Sequence, residues 1–149
     1  MRKAVFFFFI AVFFAFTAFY FYSSHQPVKI IAAHQGEFTV AIIVDALPVS
    51  SAAKIKWWAK NEQNIVSRFN LKADNDYGYL DYYIYAWGKG YQEEGKKDRL
   101  CFSDMTPPKN CIDKKILMLV SHTNNGDTVF EIGEDTFIRS KDGKVHQRQ

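Results

Sequence analysis

The N-terminal segment carries a continuous apolar pattern with no polar face. From Ala4 to Tyr22 no residue is charged, and nine of these nineteen residues are phenylalanine. At about 1.5 Å of rise per residue, a helix of this length spans roughly 28 Å, close to the ~30 Å hydrocarbon core of a bilayer. The pattern predicts a transmembrane helix, because a core helix this apolar on every side would need a far larger domain around it.

The residues that flank this run predict its orientation and its fate. Arg2 and Lys3 precede it and no basic residue follows closely, so the positive-inside rule places the N-terminus in the cytoplasm and the rest across the membrane. A cleaved secretory signal is the alternative, but such signals have an apolar stretch of about 7–15 residues and small residues at the cleavage site. This run is longer and ends on the bulky residues 19–22. We therefore expect an uncleaved membrane anchor over residues 1–24 and one domain over residues 25–149.

After the anchor, the pattern changes to alternation and to helical spacing. Two β-branched stretches around residues 35–36 predict a hairpin. A serine cap at Ser50 or Ser51, followed by apolar residues on one arc, predicts a helix that ends near Phe69. Further strands are expected at residues 77–87, 116–120, 128–132 and 136–140, with a hairpin turn at 124–127, a solvated loop at 88–99 and a polar tail from 141. This order predicts an α+β domain with one helix packed on a mainly antiparallel sheet.

The two cysteines of the chain, Cys101 and Cys111, both fall in the part expected outside the cytoplasm. In an oxidising compartment a disulfide between them is the leading interpretation, and the prolines between them favour a turn. Zinc is the alternative, but it needs further ligands at a recognisable spacing, and none stands nearby in the sequence. Closing so short a loop would stabilise the fold by roughly 2–3 kcal/mol if chain entropy dominates.

Charge and histidine spacing exclude several classes of function. Without Arg2 and Lys3, 17 basic and 16 acidic side chains remain, and this balance of +1 gives no basic stripe that would predict nucleic-acid binding. The four histidines lie at no ligand or catalytic spacing, so we expect no metal, no cofactor and no catalytic residue. They are His25, His34, His122 and His146. The acids near the cysteines, Asp98, Asp104 and Asp113, lack the alternation of a calcium loop and are expected to be solvated turn residues.

The aromatic stretch at residues 77–87 is the most suggestive feature of the domain. Asp81 marks its odd-numbered positions as the wetter face, because an unpaired buried carboxylate is costly. That face carries Tyr77, Tyr79, Tyr83, Tyr85 and Trp87. Exposed tyrosine and tryptophan are typical of a protein-binding hot spot, and carbohydrate stacking is a second use of such a face. The alternative is that another strand or the helix covers it.

Two residues on the predicted helix depart from its amphipathic pattern. Trp57 points away from the apolar arc, and it is either exposed to a partner or the membrane surface, or packed under residues 45–48. Glu62 falls within the arc, where a carboxylate needs a partner or a raised pKa. It is either a functional acid or a member of a salt bridge or local twist. The candidate binding surface comprises Tyr79, Tyr83, Tyr85 and Trp87, with Trp57 as a further member.

Two sequence blocks carry a resemblance to a known family. They are KIKWW at Lys54–Trp58 and GYQEEGKKDRLCFSDMTPPKNCID at Gly90–Asp113. Together with the single N-terminal anchor, they resemble an enterobacterial family of putative membrane proteins, the domain-of-unknown-function family 943. The resemblance implies a bacterial inner-membrane protein with a periplasmic domain. It brings no established activity, so it assigns no catalytic residue.

We interpret the chain as a single-pass inner-membrane protein that presents a non-enzymatic, protein-binding domain to the periplasm. An immunity factor against an incoming toxin is one specific hypothesis, and a small-molecule ligand is left open. A structural or assembly subunit of an envelope complex is the main alternative, and it would use contacts through the phenylalanine-rich helix. An enzyme acting on the cell wall is a further alternative, in which Glu62, Asp81 and the acids around Cys101 would have to converge in space.

Overall fold

The computed structural model describes residues 1–24, 26–74, 76 and 78–148, so that His25 and Tyr77 lie outside the described residues. The first element is helix α1, Arg2–Ser24. Its apolar span, Lys3–Tyr22, has a mean hydropathy of 2.4, and none of its most apolar window is buried against the rest of the protein. By length and composition α1 can cross a membrane, as the uncharged run predicts.

The remaining elements form one sheet, one helix and a small hairpin. In chain order they are β1 Ile30–Gln35, β2 Thr39–Val44, α2 Ser51–Arg68, β3 Asp81–Ala86, β4 Arg99–Cys101, β5 Cys111–Asp113, β6 Ile116–His122, β7 Thr128–Ile132, β8 Asp135–Arg139 and β9 Val145–Arg148. Over the described residues, seven strands form one sheet in the order β1-β2-β3-β6-β7-β8-β9, and β4 pairs with β5 separately. Every neighbouring pair is antiparallel except β2 and β3. The fold is α+β, as predicted.

The parallel pair and two strand ends differ from the expectations. Strands β2 and β3 run parallel because α2 crosses over between them, which returns the chain to the same end of the sheet. The predicted aromatic strand is too long at both ends, since β3 begins at Asp81 and Trp87 follows its last residue. Gly78 has a φ of +69°, which is incompatible with extended strand geometry. The predicted polar tail is in part a strand, β9, which pairs with β8.

Helix α2 packs on one face of the sheet. The Ser50 side chain caps it by accepting a hydrogen bond from the Ala53 backbone N–H at 3.2 Å. Its buried residues Ile55, Trp58 and Ile65 contact the even-numbered side chains of the central strands, such as Val40, Ile42, Ile84, Met118 and Val120. Complete burial of such a side chain contributes about 1.5–3 kcal/mol, so this layer provides most of the core.

The disulfide hairpin, β4 and β5 with the turn between them, packs on part of the opposite face, which we call the outer face. The predicted bond is present: Cys101 and Cys111 face each other across the hairpin, with their sulfur atoms 2.10 Å apart. Phe102 and Ile112 of the hairpin pack against Ile43 and Tyr85 of the sheet, which forms a second, smaller core. The sheet therefore lies between a helix and a hairpin.

Candidate functional site

A cleft of about 370 Å³ opens between the outer face of the sheet and the disulfide hairpin. Strands β1 and β2 contribute residues 34–36, 39 and 41, and the hairpin contributes residues 100–104. Strand β3 contributes Tyr83 and Tyr85, two of the five residues predicted as a binding surface. The cleft thus combines aromatic walls with polar groups at its rim.

The register of β2 and β3 explains why there is space at this point. Ala41 stands opposite Tyr83, and Thr39 stands opposite Asp81. Since side chains alternate along a strand, these small residues lie beside the large tyrosine on the same face. The Tyr83 and Tyr85 rings are nearly parallel, at 17°, with their centroids 6.3 Å apart. Tyr85 is only 8% exposed, and burial, together with the neighbouring Tyr83, raises its pKa.

His34, at the end of β1, joins the sheet to the hairpin. Its ring stacks on Phe102, with the ring centroids 3.8 Å apart, and its Nδ1 lies 2.8 Å from an oxygen of Asp104. Its Nε2 lies 2.8 Å from the Tyr91 hydroxyl. In the neutral tautomer that fits both contacts, Nδ1–H donates to the carboxylate and Nε2 accepts from the tyrosine O–H. Burial, and then the charge of Asp104, raise the pKa of Tyr91, which keeps this hydroxyl protonated.

A tight turn brings Tyr91 to this position. The Gly90 backbone N–H donates to the Trp87 carbonyl at 2.8 Å, and Gly90 has a φ of +77°. A Cβ at Gly90 would lie 2.8 Å from the Trp87 ring, so both the backbone angle and the close approach require glycine. Trp87 in turn meets Tyr91 edge to face, with their centroids 4.9 Å apart. The predicted solvated loop therefore begins with a packed aromatic turn.

The Asp104–His34–Tyr91 arrangement has the order of an acid–base relay, and it also ties the hairpin and the Gly90 turn to β1. Both ring nitrogens of His34 are already engaged, and the group at the end of the chain is a tyrosine hydroxyl whose pKa is raised. The raised pKa makes the Tyr91 oxygen a weaker nucleophile near neutral pH, and Tyr91 is not among the described residues that line the cleft. Within the described ranges, no group of three or more His, Cys, Asp or Glu side chains could hold a metal ion.

A comparison with protein families gives a match over residues 1–149 to the family described as enterobacterial putative membrane protein, DUF943. The chain belongs to this family. The resemblance of the KIKWW block and the two-cysteine block is thereby confirmed. Comparison with curated proteins finds no match, and comparison with solved structures finds none either. DUF943 membership supports a membrane protein.

In this DUF943 domain the five predicted surface residues do not form one surface. Tyr83 and Tyr85 line the cleft, and Trp87 packs against Tyr91 beside it. Tyr79 stacks on His122, with their centroids 5.2 Å apart, and Trp57 packs against the helix-side core. Of the two interpretations of the odd-numbered face, the covered one applies to Tyr85, because the disulfide hairpin packs on it. Trp57 is half-buried in a groove that also contains Pro48, so it follows the packed alternative more than the exposed one.

Glu62 lies in a polar cluster on the helix side of the sheet. Its carboxylate oxygens are 3.7 Å from His122 Nε2 and 3.7 Å from an Arg139 guanidinium nitrogen. The salt-bridge interpretation of Glu62 is thus confirmed.

Burial raises the pKa of Asp81, and the charge of nearby His122 opposes that rise. Glu62 and Asp81 are on different elements from the acids of the hairpin, and the cleft includes neither.

Sequence reasoning missed the His34–Asp104 pair altogether. Asp104 and Asp113 were expected to be solvated turn residues, yet Asp104 pairs with His34 and Asp113 accepts a 2.9 Å hydrogen bond from Arg99 Nε. This bond lowers the pKa of Asp113. His34 and Asp104 are 70 residues apart in the sequence. Their contact forms only when the hairpin packs on β1, so a local sequence pattern does not predict it. Asp98 is highly exposed and pairs with Lys114, in line with the expectation.

Proposed function

We propose that this chain is a single-pass inner-membrane protein whose N-terminus is cytoplasmic and whose domain binds another protein in the periplasm, without catalysing a reaction. Helix α1 is long and apolar enough to span a bilayer, and the family is described as a membrane protein. The basic residues Arg2 and Lys3 at the N-terminal end of α1 favour this orientation. The Cys101–Cys111 disulfide favours an oxidising compartment for the domain.

The observation that carries the proposal is the cleft beside Tyr83. It is a concave site on a sheet, its walls are rich in aromatic rings, and the hairpin that closes it is fixed by a disulfide. Binding hot spots favour tyrosine in such partly enclosed positions, because a rigid aromatic side chain loses little entropy on contact. Strands carry most of the cleft, and the turn that carries Phe102 and Asp104 is held by the disulfide and by the contact of Asp104 with His34, which suits recognition.

Binding is favoured over catalysis by the contacts of His34, the histidine among the described residues that line the cleft. His34 Nδ1 contacts Asp104, and its Nε2 contacts Tyr91, which is not among the described residues that line the cleft, so a substrate in the cleft would have to displace one of these partners to reach a ring nitrogen. The raised pKa of Tyr91 also makes its oxygen a poor nucleophile. These groups fix the position of the hairpin, and a fixed hairpin defines the shape of the cleft.

An immunity factor that neutralises a toxin at the membrane is a specific form of this proposal. A small tethered domain with a preformed binding cleft suits that role, because it needs only to bind and occlude. A toxin encoded beside the gene should then co-purify with the domain. The same toxin should have no effect on cells that produce this protein. Full sensitivity of such cells to every toxin tested would remove this form of the proposal while leaving protein binding open.

Site-specific crosslinking in intact cells tests the proposed function. A photoreactive amino acid in place of Tyr83 should capture one defined protein, because that side chain lines the cleft. The matched control is the same amino acid in place of Lys60, which is exposed on α2 on the opposite side of the sheet. One adduct from position 83 that position 60 does not give supports the proposal. The same adducts from both positions, or none from position 83, would overturn it.

A further inference from the structure

The cleft combines aromatic rings with a carboxylate, and both kinds of group attract a positively charged ligand. Tyr83 and Tyr85 offer aromatic rings, whose faces carry partial negative charge. Asp104 adds a carboxylate whose two oxygens both lie within 2.9 Å of His34 Nδ1, and since its side chain is 56% exposed, the remaining lone pairs can accept further hydrogen bonds. No lysine or arginine stands among the described residues that line this cleft.

We infer that the cleft receives a lysine or arginine side chain of the partner protein, with the cation placed between the Asp104 carboxylate and the Tyr83 ring. This inference rests on the proposed function and names the chemistry of the partner. A cation over an aromatic ring is stabilised by about 0.5–1 kcal/mol at an exposed site and by more where water is excluded. An anionic group would be repelled by the carboxylate and by the ring faces alike.

The size of the cleft agrees with one long side chain. Its volume of about 370 Å³ is at the small end of the roughly 300–1,000 Å³ that ligand sites occupy. Thr39 and Ala41 have small side chains, which leave space beside Tyr83. The methylene stem of a lysine or arginine can pack in that space.

The preference for a cation is local rather than a property of the whole domain. Beyond Arg2 and Lys3 the chain has 17 basic and 16 acidic side chains, so the domain has no overall acidic field. The attraction must therefore come from the groups in the cleft, and single substitutions there should remove it. Arginine, like tyrosine, is among the residues enriched in binding hot spots, and hot spots on one partner tend to pair with hot spots on the other.

Equilibrium binding of two small probes tests the inference. The full chain, in nanodiscs of zwitterionic lipid, is titrated with Nα-acetyl-arginine methylamide and with the citrulline analogue, which has the same shape and no charge. Saturation-transfer NMR measures both affinities. We expect the arginine probe to bind at least about tenfold more tightly, since it alone makes the ion pair and the cation–π contact.

Matched variants locate the binding. Asp104→Asn keeps an acceptor for His34 and should weaken the arginine probe about fivefold, whereas Asp142→Asn, with a similarly exposed carboxylate in another ion pair, should leave it unchanged. Tyr83→Leu should weaken it about two- to fivefold, and Tyr83→Phe should not. Thermal unfolding of each variant shows whether the fold is retained.

Three results would overturn the inference. They are equal affinity for the arginine and citrulline probes, equal effects of Asp104→Asn and Asp142→Asn, and binding of an N-acetylglucosamine disaccharide in place of the arginine probe. None of these removes the proposed function by itself. A partner captured from position 83 equally well with and without Asp104→Asn would support protein binding by the cleft. The same result would refute the inference that the cleft binds a basic side chain.

Discussion

Asp81 illustrates how a single residue in this domain takes its properties from the packing around it. It begins β3 on the outer face, opposite Thr39, and it is partly buried. Burial raises its pKa above the ordinary 3.8, because a carboxylate loses hydration there, and the charge of His122 only partly offsets this. The folded protein therefore holds this proton more tightly than the unfolded chain does.

The sign of this shift gives a pH-dependent prediction for Asp81→Asn. Ionised Asp81 destabilises the folded state, and this cost appears as the pH rises from the unfolded pKa through the raised folded pKa. Asn removes the cost, so the variant should unfold at a higher temperature than the natural chain at pH 7, and the gain should vanish near pH 3. Thermal unfolding of the full chain at both pH values measures it, with Asp142→Asn as the exposed control. A lower unfolding temperature at pH 7 would mean that ionised Asp81 makes a net favourable contact.

The sequence pattern identified some of these residue environments and missed others. The helical arc placed Glu62 among apolar residues, and its need for a partner followed, because positions three and four apart on a helix share a face. The partners themselves, His122 and Arg139, come from separate strands. The contact between His34 and Asp104 also depends on the packing of the hairpin on β1, so the spacing of residues along the chain does not predict this contact.

Among the elements of the domain, the disulfide hairpin depends most on stabilising contacts beyond the pairing of its own strands. Strands β4 and β5 have three residues each, which is too short for an isolated hairpin to be stable in water. Arg99 strengthens it by donating to Asp113 and to the carbonyls of Glu93 and Glu94. An isolated bridge also pairs Gln92 with Cys111. The disulfide is the covalent part of this set.

Removal of the disulfide should therefore loosen the hairpin before the sheet. The double variant Cys101→Ser, Cys111→Ser should lose roughly 2–3 kcal/mol of stability, as expected for a short closed loop. Hydrogen exchange should accelerate in β4 and β5 far more than in β2, β3 and β6, whose buried side chains keep their own core. Differential exchange by mass spectrometry, with the oxidised chain as control, measures both. An unchanged unfolding temperature after reduction would contradict the assigned role of this bond.

The elements that sequence reasoning found are those whose pattern is local. Hairpin β1–β2 and helix α2 have alternation or a one-sided arc of their own, and both form where expected. All four residues of β9 are exposed, so no apolar alternation marks it as a strand. The parallel pairing of β2 with β3 depends on the path of α2 over the sheet, and two apolar strands alone do not specify their relative direction.

At the scale of the whole molecule, the proposal joins an apolar helix to a domain that needs an oxidising compartment. The helix spans residues 2–24 and the first strand begins at Ile30, so only a short connection separates the two. With a connection this short, the cleft would stay near the membrane surface, where a tethered domain meets its partner at a high effective concentration. Both features depend on one orientation of α1.

This orientation gives a prediction about accessibility. Because both natural cysteines are in a disulfide, a single cysteine introduced at Glu134, an exposed residue between β7 and β8, provides a new thiol. A membrane-impermeant maleimide should label it in cells whose outer membrane is opened. A cysteine in place of Lys3 should be labelled only after the inner membrane is broken, since the N-terminal end of α1 is expected at the cytoplasmic side. The matched pair controls for reagent access, because both thiols are tested in the same cells.

The intact mass of the purified chain completes this test, because labelling alone does not separate an anchor from a signal segment. If α1 remains attached, the mature protein keeps the mass of all 149 residues and partitions with the membrane fraction. Attachment is expected because the run ends on bulky aromatic residues rather than on the small residues that a signal peptidase requires. Labelling of the Lys3 position in intact spheroplasts, or a mature chain that begins after residue 24, would refute the tethered topology and, with it, the account of how the cleft is presented.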